Sequence, residues 1–81
     1  MQVAVDISLY PLDEKFIPPI KDVIERLKLH DGIEIETNRM STQVRGDYDA
    51  VMPVLSKEIR TTFENIPHAI FVIKILNNPV N

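Results

Sequence analysis

Val3, Val5, Ile7 and Leu9 alternate with Gln2, Ala4, Asp6, Ser8 and Tyr10, the two-residue period of a half-buried strand. Pro11 has no amide hydrogen to offer a neighbouring strand and is expected to end it. After a polar connection over residues 12–15, Ile17, Ile20, Ile24 and Leu27 recur on one helical stripe. Pro18 and Pro19 suit the first turn of that helix, where amide hydrogens have no intrahelical partner. Gly32 is a natural stop. Ile33 and Ile35 then alternate with Glu34 and Glu36, predicting a second strand through Asn38. Asn38-Arg39 reads as a turn and residues 40–46 as a third strand, completing a hairpin.

Asp47 and Asp49 are both candidate N-caps for a second helix, which carries Val51, Leu55, Ile59 and Phe63 at four-residue spacing. Pro53 fits that helix only if it starts late, with Asp49 as cap, because an interior proline costs about 3 kcal/mol. Asn65-Ile66-Pro67 ends it. Residues 68–76 are almost continuously apolar and form the last strand, with a polar tail from Asn77.

The order strand, helix, strand, strand, helix, strand is the split βαβ pattern of an α+β, ferredoxin-like sandwich. It predicts a four-stranded antiparallel sheet with both helices on one face and strands 1 and 3 at the centre. The inward sets are Val3/Val5/Ile7/Leu9 and Ile33/Ile35. The other face then presents Asp6, Ser8 and Tyr10 from strand 1, and Glu34, Glu36 and Asn38 from strand 2. Strand 3 adds either Ser41/Gln43/Arg45 or Thr42/Val44, depending on register. Strand 4 is apolar on both sides, with Ile70, Val72 and Leu76 on the side the helices leave open. A strand apolar on both faces is usually covered on both. A second copy of the chain, packed sheet to sheet into a homodimer or homotetramer, is the expected cover; scattered surface apolar residues are the plainer alternative. A face that is half apolar and half polar also suits a small-molecule pocket near such an interface.

At 81 residues the chain has length for one domain, 1–81. Its 44% hydrophobic and 26% charged composition is that of a globular chain rather than a disordered one. A chain of this size buries only roughly 60% of its unfolded surface, which gives self-association a thermodynamic motive. With no cysteine there is no disulfide, thiolate metal site or cysteine nucleophile. The net charge of −3 and pI near 5.2 argue against nucleic acid or an anionic membrane as partner. No apolar run approaches the roughly 20 residues that span a bilayer, and the first residues lack the basic and apolar regions of a signal peptide. The expected location is cytoplasmic.

Little in the sequence supports catalysis. His30 and His68 stand far apart at element ends, without ligand partners at metal-binding spacing, and are expected to be solvent-exposed. Glu34 and Glu36 share a face only because strands alternate, and no cleft is evident for an acid–base pair. Two glycines cannot build a phosphate-cradling loop. Lys15, Lys21, Arg26 and Lys28 lie among acids as a solvated helix face. Neither an enzyme nor a metal site is expected.

The segments Ile7-Ser8-Leu9-Tyr10-Pro11-Leu12, Glu36-Thr37-Asn38-Arg39-Met40-Ser41-Thr42-Gln43-Val44-Arg45-Gly46-Asp47-Tyr48-Asp49 and His68-Ala69-Ile70-Phe71-Val72-Ile73-Lys74-Ile75 resemble the YkoF-like thiamine/hydroxymethylpyrimidine-binding proteins. The resemblance runs over nearly the whole chain and rests on order and spacing rather than on one sharp motif. It implies a ferredoxin-like protein that assembles sheet to sheet and binds thiamine, or its pyrimidine half, without turnover. Vitamin transport, salvage or homeostasis would be its setting, with the bound ligand in place of any cofactor. Asn38, Ser41 and Thr42 match the signature region at the strand 2–strand 3 turn, and Ser8 and Tyr10 match the end of strand 1. Asn38, Ser41 and Thr42 suit an aminopyrimidine's donor and acceptors, Tyr10 a stacking contact, and Asp6 the cationic thiazolium. Each also has an ordinary reading: Asn38 in a turn, Ser41 and Thr42 on a strand surface, Tyr10 at a dimer edge, Asp6 paired with Arg45. The alternative function is an effector-binding or oligomerisation module for another small ligand.

Overall fold

The computed structural model describes residues 1–77. Strands β1 (Gln2–Pro11), β2 (Glu34–Thr37), β3 (Thr42–Asp47) and β4 (Ala69–Asn77) alternate with helices α1 (Ile17–Lys28) and α2 (Tyr48–Asn65) in the order β1-α1-β2-β3-α2-β4. The sheet order is β2-β3-β1-β4 and every pairing is antiparallel. This is the ferredoxin-like α+β fold, with β1 and β3 central as the pattern requires.

Period-two alternation does the positioning. Val3, Val5, Ile7 and Leu9 are all buried, and Val44 of β3, opposite Val5, is wholly so. Val23 and Leu27 of α1 and Val51 and Leu55 of α2 close the core from one side. Each such side chain contributes about 1.5–3 kcal/mol by leaving water. The register also settles which face β3 presents. Thr42 and Val44 lie with the core, opposite Ile7 and Val5, so Gln43 and Arg45 lie on the open face with Asp6 and Ala4.

Pro11 ends β1 as expected, as the strand's last residue opposite Ala69; just beyond it the Leu12 amide donates to His68 O at 3.1 Å. Other boundaries differ from those the sequence predicts. The β2–β3 connection is the loop 38–41 rather than a two-residue turn. Asn38 Oδ1 accepts from the amides of Met40 (2.7 Å) and Ser41 (3.1 Å), which delays β3 to Thr42. Gly32 stands beyond the end of α1, with φ of +81°, a backbone conformation that favours glycine. Helix α2 does not start late. Asp47 is its cap, accepting from Asp49 N at 3.1 Å, and Pro53 lies inside the helix. Pro53 is exposed, while Val51 and Leu55 on either side of it are buried, and their burial offsets the hydrogen bond that proline forgoes.

The helix faces are also turned from the simple stripes. Ile17 and Phe63 are about half exposed, and Phe63 instead sets its ring against Phe71, centroids 5.6 Å apart. The buried set of α2 includes Glu58 and Thr62. Glu58 Oε1 accepts from Arg26 Nη1 at 2.6 Å, and Arg26 Nη2 donates to Thr62 Oγ1 at 2.6 Å. His30 Nε2 lies 2.6 Å from Glu58 Oε2. Arg26 is therefore no part of a solvated face and His30 is no free boundary histidine: both reach across to α2 because a carboxylate is buried there. Burial alone would raise the Glu58 pKa, but the hydrogen bonds and charges of His30 and Arg26 overcome it and hold the group below its ordinary value. The predicted polar tail after Asn77 lies outside the described residues.

Candidate functional site

A cavity of about 500 Å³ opens between α1 and one end of the sheet. Its inner wall is the apolar side of the core: Ile7 and Leu9 from β1, Val23 and Leu27 from α1, and Phe71 from β4. Leu12 and Phe16 on the β1–α1 connection and Met40 on the loop 38–41 are among its lining, and all three are at least half exposed. Large apolar groups left in water around a concavity are what a site for a flat, mostly apolar ligand provides.

Most of the polar groups enter from the β2–β3 end. Thr37 ends β2 and Thr42 begins β3; they are direct partners in the ladder, and their hydroxyl oxygens stand 3.1 Å apart. One hydroxyl hydrogen satisfies that contact, so the pair retains a second donor and spare lone pairs for a guest. Thr42 is 6% exposed, so its hydroxyl is set in a dry wall where a hydrogen bond counts for more than in water. Asn38 closes the loop beside them. Its Oδ1 is committed to Met40 and Ser41 and its backbone amide to Ser41 O at 3.1 Å, which leaves the Nδ2 donor uncommitted to the turn.

Of the residues singled out in the sequence, Ser8, Tyr10, Asn38, Ser41 and Thr42 all belong to this lining. The alternation of β1 directs the side chains of Ser8 and Tyr10 toward the open face, so they meet the cavity at the strand's end rather than from its wall. Asp6 is apart from the others. It lies on the open face beside Gln43 and Lys74, in a separate depression of about 400 Å³ that also involves Arg45. Asp6 Oδ1 and Arg45 Nε are shielded from solvent and neither has a hydrogen-bond partner among the described residues, so the cross-strand pairing expected of them is not formed through these atoms.

Two polar lining residues, Thr37 and Arg39, were not among the candidates. Thr37 follows Ile33 and Ile35 in the same alternation, so its place on the helix side was implicit in the sequence. Arg39 carried no signal beyond its position in the turn. Among the described residues that line the cavity, none is acidic and Arg39 alone is charged. The two carboxyl groups displaced from their ordinary pKa, Asp47 and Glu58, both lie outside it. Among the described residues no cluster of three or more His, Asp or Glu side chains is placed to hold a metal, and no helix is long and apolar enough to cross a membrane.

A ferredoxin-like sandwich with an apolar cavity and a few hydroxyl and amide groups at its end has the form in which small-molecule pockets are usually built. The chain belongs to the family described as thiamine-binding protein, whose model matches residues 5–79. Among solved structures, a Streptococcus pneumoniae protein is similar at 18% identity, with a TM-score of 0.90 over 99% of this chain and 90% of that one. A hypothetical protein from Methanocaldococcus jannaschii is 24% identical, with a TM-score of 0.82 over 99% of this chain and 84% of that one. A Thermotoga maritima protein, itself described as a candidate for thiamine biosynthesis or salvage, is 21% identical with a TM-score of 0.82, covering 93% of this chain and 82% of that one. At these identities the structures speak to the fold. No curated protein matches the chain.

Proposed function

We propose that the protein binds thiamine, or the hydroxymethylpyrimidine that forms half of it, without chemical turnover, in vitamin transport, salvage or homeostasis. One observation carries the reading within a thiamine-binding family: the cavity between α1 and the sheet joins a flat apolar interior to the Thr37–Thr42 hydroxyl pair and the Asn38 amide. An aminopyrimidine is a flat ring with an exocyclic amine donor and ring-nitrogen acceptors. The spare lone pairs of the threonines suit the amine, and the remaining threonine hydrogen and Asn38 Nδ2 suit the ring nitrogens. Calorimetric titration with thiamine and with hydroxymethylpyrimidine tests this directly. Saturable heat with either is expected, and no heat and no thermal shift at millimolar ligand would sink the proposal.

The working unit we propose is an assembly, in which a second copy covers the open sheet face. Ile70, Val72 and Leu76 are each about half exposed there, and the unpartnered atoms of Asp6 and Arg45 share that face. Apolar side chains beside shielded, unsatisfied charged groups favour a covering surface that supplies both contact and hydrogen bonds. Light scattering should give a multiple of 9.3 kDa, and a mass of one chain would remove this part of the proposal.

A further inference from the structure

Taking the pyrimidine-binding reading as its premise, we infer that this site prefers a ligand bearing a phosphate monoester, and that Arg39 is the residue that reads the phosphate. The interior of the cavity offers no compensation for a positive charge, since no acidic residue is among its described lining. A buried cation without a partner is strongly disfavoured. The neutral pyrimidine ring is therefore the part that goes in, and whatever charge the ligand carries stays at the mouth.

The mouth is not electrostatically neutral. Arg39 is exposed on the loop 38–41 and is the one charged group among the described lining. It makes no ion pair with any described residue, whereas Arg26, the arginine of the helix seam, is engaged by two carboxylates. Its backbone is also held in place. The loop is clasped by Asn38, which accepts the Met40 and Ser41 amides and donates its own amide to Ser41 O. The result is a guanidinium tethered to a fixed loop, beside the hydroxyl and amide groups that recognise the ring. A guanidinium presents parallel N–H donors that match two oxygens of a phosphate, a fit that a hydroxyl or a thiazolium cannot use. An exposed arginine also repels the thiazolium cation and attracts a phosphate dianion, so its effect on selectivity runs in one direction for both.

Titration calorimetry with four compounds tests the inference: hydroxymethylpyrimidine and its phosphate, and thiamine and its monophosphate. The phosphate of at least one pair should bind about tenfold more tightly than its parent alcohol, and the pair with the larger gain identifies which part of the ligand lies at the mouth. The gain should shrink as salt is raised, since the arginine is exposed. Arg39→Gln should erase it while leaving affinity for the alcohol undiminished, and Arg39→Lys should keep part of it. Equal binding of alcohol and phosphate in both pairs, or a gain that survives Arg39→Gln, overturns the role of Arg39 and leaves pyrimidine binding standing. Failure of all four compounds to bind overturns the pyrimidine reading, and this inference with it.

Discussion

Glu58 Oε2 and His30 Nε2 meet at 2.6 Å across the seam between α1 and α2, with Arg26 held by the other oxygen of the same carboxylate. A buried acid with two basic partners ties α2 to α1 and the residues just after it, and neither His30 nor Glu58 is part of the cavity lining. The cluster is a structural clasp: its members satisfy one another, and Thr62 takes a further guanidinium hydrogen.

Glu58→Gln should therefore be costly. The amide cannot serve Arg26 and His30 as an acceptor through both of its atoms, and Arg26, only 19% exposed, keeps just the exposed Asp22 as counter-charge. A loss of about 2–3 kcal/mol is expected, read as a lowered urea midpoint with an unchanged slope. Replacing Glu58 and Arg26 together by Leu and Met should recover much of it, because the pair's desolvation cost is removed along with its attraction.

The same carboxylate sets a pH dependence. Its pKa is held below the ordinary value of 4.5 in the folded protein, so the unfolded chain takes up the proton first. The stabilisation is complete above 4.5 and is lost as pH falls through the lower, folded value. Thermal melts of the native protein should show a steeper decline below that point than those of Glu58→Gln.

Asn38 has two separable jobs. Asn38→Asp keeps the acceptor for the Met40 and Ser41 amides and replaces the Nδ2 donor with a charged oxygen acceptor, so the melting temperature should hold while affinity for the neutral pyrimidine falls. Asn38→Ala loses both and should cost about 1 kcal/mol of stability as well. If the aspartate variant binds normally, Asn38 is a loop residue and no more.

Thr42→Val removes a hydroxyl and retains the shape of the wall. Stability should change by no more than about 1 kcal/mol, since Thr37 is exposed and its hydroxyl can turn to water. Pyrimidine affinity should weaken roughly tenfold, the scale of one well-placed hydrogen bond. Calorimetry paired with melting separates the two effects.

On the open face, Val72→Lys places a charge opposite Ser8 and beside exposed Ile70. An assembly held by this face should fall to single chains of 9.3 kDa by light scattering, with the fold intact by circular dichroism. An unchanged mass would move the interface elsewhere.

The element order, the core-facing set Val3/Val5/Ile7/Leu9 and thus the ferredoxin-like fold were legible in the sequence, because alternation and helical period are local properties that neighbouring residues impose on one another. The sequence also directed attention to residues 38, 41 and 42, through their resemblance to a family signature. Features that depend on distant partners were not legible there. Glu58 can stay buried as a carboxylate only because Arg26, 32 residues earlier, is there to pair with it, and no pattern within α2 announces that. Pro53 sits inside α2 because packing on the sheet outweighs a local propensity. The register of β3 is fixed by its pairing with β1, and that pairing turned Thr42 to the helix side and set Gln43, not Arg45, opposite Asp6. The cavity itself is a gap between α1 and the sheet, a property of how two surfaces fail to close, and such a gap has no periodicity for a sequence to display.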